Sequence, residues 1–340
     1  MRRAAWVVAA ALLALPSFGA EEAVRFRNGD VELAGTLSLP EGDGPFPAVI
    51  LISGSGPSDR DESVDNAPIK PFKLIADHLS ANGIAVLRYD DRGTFESGGS
   101  YGGATLEDFA SDAGAALAYL QGRHEIADSA IGILGHSEGG MIAPMVAVAE
   151  PGEVAFLIVL AAPAVDGKAF LKGQIEAALA TTPPEQQDRL INQRDALALV
   201  AAEDWAGAEA NLRHDYARMK AAGYAGGEDQ YVEGGLGFFK GWLHSFVLNR
   251  PAESWEAIKV PVLGLFGERD AQVDTAQNAP ALEAALSGNP DTTIVRLPVN
   301  HLFQDAPTGA IAEYPSLPPA FASDVLPTLT DWILKRFGAP

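Results

Sequence analysis

Cysteine is absent from the 340 residues, which excludes a disulfide framework, zinc-thiolate sites, a thiol nucleophile and a lipid-modified cysteine anchor. Stability must come from a packed core instead. Basic residues are scarce, with 24 Lys and Arg against 45 Asp and Glu and a formal net charge of −21. Such a chain has little with which to build a phosphate-binding face, so no nucleic-acid partner is expected and polyanionic substrates are disfavoured. The acidity reads as surface charge that keeps the protein in solution. No apolar run beyond the N-terminus approaches membrane length, so no contact with a bilayer is expected after processing. No paired-histidine zinc pattern occurs among the six histidines. The acidic cluster Asp59, Asp61 and Glu62 is interrupted by Arg60 and reads as a loop salt bridge. Neither a metal nor a cofactor is expected.

The first twenty residues, "MRRAAWVVAAALLALPSFGA", place Arg2 and Arg3 before an apolar run from Ala4 to Leu15, then Pro16 and small residues. This is the three-part order of a secretory signal peptide, and its apolar run is too short to span a bilayer. Ser17 and Gly19 suit the small-x-small rule, with a cut after Gly19 or after Ala20. Loss of Arg2 and Arg3 takes the net charge from −21 to −23, and a periplasmic or secreted protein is expected.

The remainder alternates in type. "VRFRNGDVELAGTLSLP" predicts a hairpin about Asn28-Gly29. "FPAVILISG", Phe46 to Gly54, predicts a strand covered on both faces. Helix signals in "IKPFKLIADHLSANG", "TLEDFASDAGAALAYLQ" and "EGGMIAPMVAVA" then alternate with strand signals in "IAVLRYD", "SAIGILG" and "VAFLIVLAA", which implies a parallel sheet with helices on both faces. Pro144 is expected to kink the third of these helices. From about 165 to 255 the rhythm gives way to helical spacing alone. Within it, "TPPE" from Thr182 suggests a capping box, and a glycine-rich stretch about Gly226 to Gly237 suggests a mobile segment. Strand, helix, strand and a terminal helix follow. The organisation expected is a leader (1–20), an α/β core (21–164), a helical cap insertion (165–255) and the rest of the core (256–340).

The chemistry centres on "ILGHSEGG". Ser137 lies between a predicted strand and a predicted helix, with Gly135 and Gly139 keeping the turn sharp, which is the context a nucleophile elbow requires. His136 in the same turn reads as structural. A serine hydroxyl needs a base, and His301 in "VNHLFQ" follows the last strand at the sheet end where loops converge. His78, His124, His214 and His244 lie in a helix, a polar loop and the insertion. Of Glu268, Asp270 and Asp274, Asp270 is expected to hold the imidazole, because it is in the first turn after its strand, whereas Asp274 suits a helix cap. The oxyanion donors expected are the backbone N–H groups of Glu138 and, from "SGSGPSDRDE", of Ser55. "RYDDRG", Arg88 to Gly93, reads as a structural charge network beneath the site.

Phe239, Trp242 and Phe246 recur at helical spacing in the insertion. One expectation is that they pack it onto the core. The other is that Trp242 and Phe246 also wall the acyl pocket, restricting it to about two to six carbons.

The "GHSEGG" elbow, "SGSGPSDRDE", "RYDDRG", "VPVLGLFGERDAQV" and "VNHLFQDAPTG" together resemble bacterial α/β-hydrolases of the EstD carboxylesterase type, related to dienelactone hydrolases and BAAT-like acyl thioesterases, over about residues 50 to 310. The resemblance implies an eight-stranded, mostly parallel sheet and ester hydrolysis through an acyl-enzyme, with Ser137, Asp270 and His301 matching the family's triad. "RGTFES" departs from it, standing where many relatives have a second glycine after the threonine. The leading expectation is a secreted or periplasmic carboxylesterase acting on a small acyl ester. An aminopeptidase, with Glu203, Asp204 or Glu228 receiving the substrate amine, an acyl thioesterase and a non-catalytic binding protein on the same fold are the alternatives. Oligomeric state is not legible.

Overall fold

The computed structural model describes residues 19–65 and 67–338; residues 1–18 of the expected leader lie outside the described residues. Strands β1 (Glu21–Asn28) and β2 (Val31–Ser38) pair antiparallel in a register that ends on Asn28 opposite Val31. The two-residue turn is thus Gly29-Asp30, one position beyond the sequence expectation. Gly29 supplies the positive φ of 56° that it needs.

Six further strands complete the sheet: β3 (Phe46–Ile52), β4 (Ala85–Tyr89), β5 (Ile126–His136), β6 (Phe156–Leu160), β7 (Val262–Gly267) and β8 (Thr292–Leu297). Their order is β1-β2-β4-β3-β5-β6-β7-β8, with β3 to β8 parallel and β1 and β2 antiparallel at one edge. The strand period of two sorts side chains between two cores. Ala48, Ile50 and Ile52 enter one, while Val49 and Leu51 enter the other. The first core is closed by helices α2 (Leu106–Gln121) and α3 (Glu138–Ala149), and the second by α1 (Pro71–Ala81) and, at the C-terminus, α11 (Val325–Phe337). Helix α2 starts where a capping box predicts: Thr105 Oγ1 accepts from the Asp108 N–H and Asp108 answers the Thr105 N–H. Helix α3 continues through Pro144 to Ala149.

Between β6 and β7 the chain forms α4 (Gly167–Thr181), α5 (Asp188–Ala201), α6 (Trp205–Ala221), α7 (Glu228–Phe238), a π-helical turn (Phe239–Leu243) and α8 (His244–Leu248). Leu197, Val200, Leu212, Val232, Phe239 and Leu243 give this cap its own small core. Helix α9 (Pro251–Ala257) instead sends Trp255, fully buried, into the main core. Helix α10 (Thr275–Ala285) follows β7.

Two local expectations are corrected. Most of the glycine-rich stretch is helical: Gly234, Gly235 and Gly237 lie within α7, while Gly226 and Gly227 precede it. A Cβ on Gly235 would come within 2.5 Å of Leu212, so this glycine permits close helix packing. "TPPE" caps no helix. Thr182 closes α4, Pro184–Gln186 form a short 3-10 turn, and α5 begins at Asp188 without a side-chain cap. The Gln187 side chain ties the turn by donating to the carbonyls of Leu179 and Thr182.

Candidate active site

Strands β3, β5, β7 and β8 run parallel, so the loops that leave their C-terminal ends share one edge of the sheet. Ser137 follows β5 with φ 51° and ψ −118°, a conformation that L-residues rarely hold. Its N–H donates to the Leu160 carbonyl over 2.8 Å. The glycines around it are sterically required. A Cβ on Gly135 would lie 2.1 Å from the Gly139 carbonyl oxygen, and one on Gly139 would lie 2.1 Å from that of Ile52. Gly54, after β3, lies directly over the serine, its own virtual Cβ 3.3 Å from Ser137 Cβ.

Asp270, in the turn after β7, is enclosed. Its Oδ1 accepts from the N–H groups of Gln272 (2.7 Å) and Val273 (2.8 Å), while its Oδ2 lies 2.8 Å from His301 Nδ1. That contact assigns the proton to Nδ1 and leaves Nε2 as the basic nitrogen. Asp274 is exposed and caps α10 through the Ala276 N–H. The loop carrying His301 is braced by Asn300, fully buried, whose Oδ1 accepts from the Gln304 N–H. Arg269 Nη1, donating to the Ala306 carbonyl, ties the aspartate and histidine loops together.

The loop after β3 is held by groups that sequence reasoning did not single out. Glu62 Oε1 accepts from the Gly54 N–H at 2.8 Å and contacts His136 Nδ1 at 2.8 Å, and His136 Nε2 lies 3.1 Å from the His301 carbonyl oxygen. Tyr101 Oη accepts from the Gly56 N–H. With Gly54 and Gly56 both engaged, the Ser55 N–H has no acceptor among the described residues. The Glu138 N–H, first of α3, stands at the positive end of the helix dipole. Glu62 was visible only as one acid of "DRDE", because nothing in a local pattern reveals a partner 74 residues away.

"RYDDRG" and "DRDE" interlock rather than form a salt bridge within one loop. Arg60 pairs with Asp90 and Glu96, Arg88 with Asp61 and Glu21, and Arg92 with Asp108 and Asp112. Asp91 Oδ1 accepts from Ser53 Oγ, and its Oδ2 from the Ser58 N–H. Among the described residues no group of three or more His, Asp or Glu is arranged to hold a metal ion.

Three buried groups beside the nucleophile and its loops titrate away from their ordinary values. Burial pushes the Glu138 carboxyl up to about 8, with the Asp91 charge adding and a hydrogen bond from Trp242 opposing. Burial likewise raises Asp91 to about 7, against the hydrogen bonds from Ser53 and Ser58. Burial alone would lower His136, but the charge and hydrogen bond of Glu62 outweigh it and the net shift is upward.

The two aromatic residues expected to wall a pocket divide. Phe246 is 2% exposed and packs between Phe170 and Trp242 in the main core. Trp242 and Phe246 share a face as the spacing predicts, with ring centroids 5.1 Å apart, while Phe238 rather than Phe239 stacks on Trp242 across the π turn. Trp242 bridges the core and the cap. Its Nε1 donates to Glu138 Oε2 over 2.7 Å, and its ring stacks on Phe238 with centroids 5.1 Å apart. That ring lines a cavity of about 820 Å³ among α4, α5, α6, α7 and the π turn.

A model of the family described as serine aminopeptidase, S33, matches residues 69–297. The chain belongs to this family. Its eight-stranded sheet with helices on both faces is an α/β-hydrolase fold, as expected. Esterase EstD of Thermotoga maritima is 39% identical over 132 residues, a stretch that makes up 39% of this chain and 31% of that protein. The matched stretch thus spans less than a third of that relative's length. The Pyrococcus furiosus esterase Pf2001 superposes with a TM-score of 0.57 at 18% identity, over 95% of each chain. Est1E of Butyrivibrio proteoclasticus, solved with ferulic acid bound, gives 0.57 at 15% over 93% of this chain and 100% of its own. A proline iminopeptidase of Mycobacterium smegmatis gives 0.55 at 18% over 92% and 98%. At these identities the solved structures speak for the fold.

Proposed function

We propose that this serine hydrolase is an exported carboxylesterase in which Ser137, His301 and Asp270 act as nucleophile, base and acid. The observation that carries the reading is the 2.8 Å contact between Asp270 Oδ2 and His301 Nδ1, at the sheet edge where Ser137 occupies the strained elbow. Ser137 Oγ attacks the ester carbonyl and its proton passes to His301 Nε2. Asp270 stabilises the resulting imidazolium. The oxyanion is received by the N–H groups of Ser55 and Glu138. His301 then protonates the departing alcohol, and water, activated by the same base, releases the acid from Ser137.

Ester is favoured over amide because each of the three acids expected to receive a substrate amine already has a partner. Glu203 lies 3.6 Å from His244, Asp204 caps α6 and Glu228 pairs with Arg213. Glu138, the acid beside the nucleophile, has a pKa of about 8 and is therefore mostly neutral at pH 7. A thioester of CoA would bring phosphates to a chain of net charge −21. The acyl group is proposed to be short, about two to six carbons.

The test is turnover of p-nitrophenyl esters, amino-acid arylamides and acyl-CoA by the mature protein, with fluorophosphonate labelling read by intact mass. Esters should dominate, and Ser137→Ala should abolish both turnover and labelling. Labelling that survives Ser137→Ala overturns the nucleophile. For export, the N-terminus recovered from the native host should begin at Ala20 or Glu21; a retained Met1 overturns it.

A further inference from the structure

A second histidine stands beside the proposed base and takes part in none of the steps above. His136, the last residue of β5, is 5% exposed, and its ring centroid lies 4.8 Å from that of His301. Both of its nitrogens face fixed partners. Nε2 lies 3.1 Å from the His301 carbonyl oxygen, which can only accept, so this nitrogen carries a proton. Nδ1 lies 2.8 Å from Glu62 Oε1, and a contact that short between two acceptors requires one further proton between them. Whether that proton is drawn on the ring or on the carboxyl, the pair is neutral as a whole and His136 keeps no free lone pair. It therefore cannot act as a second base, and it sets no net charge against the imidazolium that forms on His301.

The backbone is strained to make this contact. Glu62 takes the left-handed conformation, φ 53°, although it is 5% exposed, and Phe303, two residues after His301, takes φ 57°. Residues other than glycine hold such angles where the surrounding structure dictates them. Phe72, Ile75, Leu160 and Phe303 crowd around the pair, so its attraction is little screened. Burial lowers the pKa of His136, but the charge and hydrogen bond of Glu62 outweigh it, with the His301 carbonyl and the Asp270 charge adding.

The pair also bridges distant loops. Glu62 belongs to the loop after β3, and the same Oε1 accepts from the Gly54 N–H at 2.8 Å. The Gly56 N–H is anchored on Tyr101 Oη, so the Ser55 N–H between these two anchors is fixed in direction. His301 belongs to the loop after β8, at the far end of the order β3-β5-β6-β7-β8. His136 joins the two and adjoins Ser137.

Resting on the assignment of Ser137, His301 and Asp270 above, we propose that Glu62 and His136 are positioning residues of the reaction: the proton they share ties the loop of the oxyanion donor Ser55 to the backbone of the base His301. Asp270 sets the His301 ring, and His136 sets its main chain. The alignment so controlled is needed in the transition state more than in substrate binding, so its loss should appear in kcat and leave KM nearly unchanged.

Glu62→Gln exchanges one atom. With His136 neutral, a glutamine at 62 can satisfy only two of three contacts, to Gly54, to Nδ1 and to the His301 carbonyl. Turnover of p-nitrophenyl acetate should fall by about 10²-fold in kcat with KM within about threefold, the scale on which a misplacement of about 1 Å acts. Rates are taken per site labelled by fluorophosphonate at its end point, so protein that has lost its fold is not counted. The labelling rate constant at Ser137 should fall in parallel, because that reaction uses the same base and oxyanion donors. His136→Gln, alone and combined with Glu62→Gln, completes a cycle in which the double variant should be no slower than the slower single. If the variants do not fold, nitrogen NMR of wild-type protein carrying labelled histidine reads the pair directly, and His136 should be protonated at Nε2 at neutral pH. An unprotonated Nε2, additive losses in the cycle, an unchanged kcat per site or a change confined to KM overturns the proposal. Slower labelling of Ser137 in Glu62→Gln, with no ester turned over by the wild type, overturns the esterase reading alone.

Discussion

The indole N–H of Trp242 donates to Glu138 Oε2 across 2.7 Å, which fastens the cap to the residue whose backbone N–H faces the proposed oxyanion. The carboxyl concerned is 3% exposed and has no cation beside it; its pKa stands near 8 mainly because burial disfavours the charge. The cap is thus held by a group whose charge state changes close to neutrality.

That placement gives stability a definite dependence on pH. The folded pKa of about 8 exceeds the ordinary value of 4.5, so between these limits the unfolded chain has released a proton that the folded chain retains. Stability contributed by this group is therefore complete below about pH 4.5 and falls as pH rises to about 8. Urea melts of wild type and Glu138→Gln from pH 5 to 9 should show the variant losing less, the gap widening with pH to the order of a few kcal/mol. Asp91, raised in the same sense, adds to the slope up to about pH 7, and His136, also raised, adds above pH 6.5. A constant gap would show that Glu138 is ionised throughout.

The two aspartates after β7 should separate by rate. Asp270 has both oxygens engaged, one on His301, whereas Asp274 only caps α10. Asp270→Asn should lower kcat by a factor on the order of 10⁴, as loss of the orienting carboxylate does in a serine protease. Asp274→Asn retains a side-chain oxygen for the cap and should change kcat little. Steady-state kinetics that rank the two in reverse would move the acid to Asp274.

The resemblance to EstD-type enzymes raised a question at "RGTFES", and the structure answers it. Phe95 takes the left-handed conformation, φ 43°, that a glycine accepts without strain, and its side chain is 70% exposed. Phe95→Gly should therefore raise unfolding stability by about 1 kcal/mol, the lower end of the left-handed penalty for an L-residue. Equilibrium urea unfolding checks it. A loss would mean that the exposed ring makes a contact worth more than the strain.

What was legible depended on range. Period-two and period-3.6 patterns fixed the alternation of elements because burial on one or two faces leaves its trace within each segment. Ser137, Asp270 and His301 could be proposed because each follows a strand end directly. Glu62 could not, since its role lies in reaching Gly54 and His136, and neither could the bond from Trp242 to Glu138, 104 residues away.

Trp242 separates hydrogen bonding from ring packing. Trp242→Phe keeps an aromatic ring beside Phe238 and Phe246 but removes the N–H that Glu138 receives. That bond opposes the upward shift of Glu138, so without it the pKa should move further above 8. The cost to folding should then depend on charge. At pH 6, where Glu138 is protonated, a hydrogen bond to a neutral acceptor is worth about 1 kcal/mol; at pH 9.5, where the wild-type group is largely ionised, the loss should reach about 1.5–3 kcal/mol. Urea unfolding of wild type and variant at the two pH values measures the difference directly. In the Glu138→Gln background the pH dependence of the Trp242→Phe cost should vanish, since glutamine cannot ionise. Equal costs at pH 6 and 9.5 in the wild-type background would mean that Trp242 acts on the cap through its ring alone.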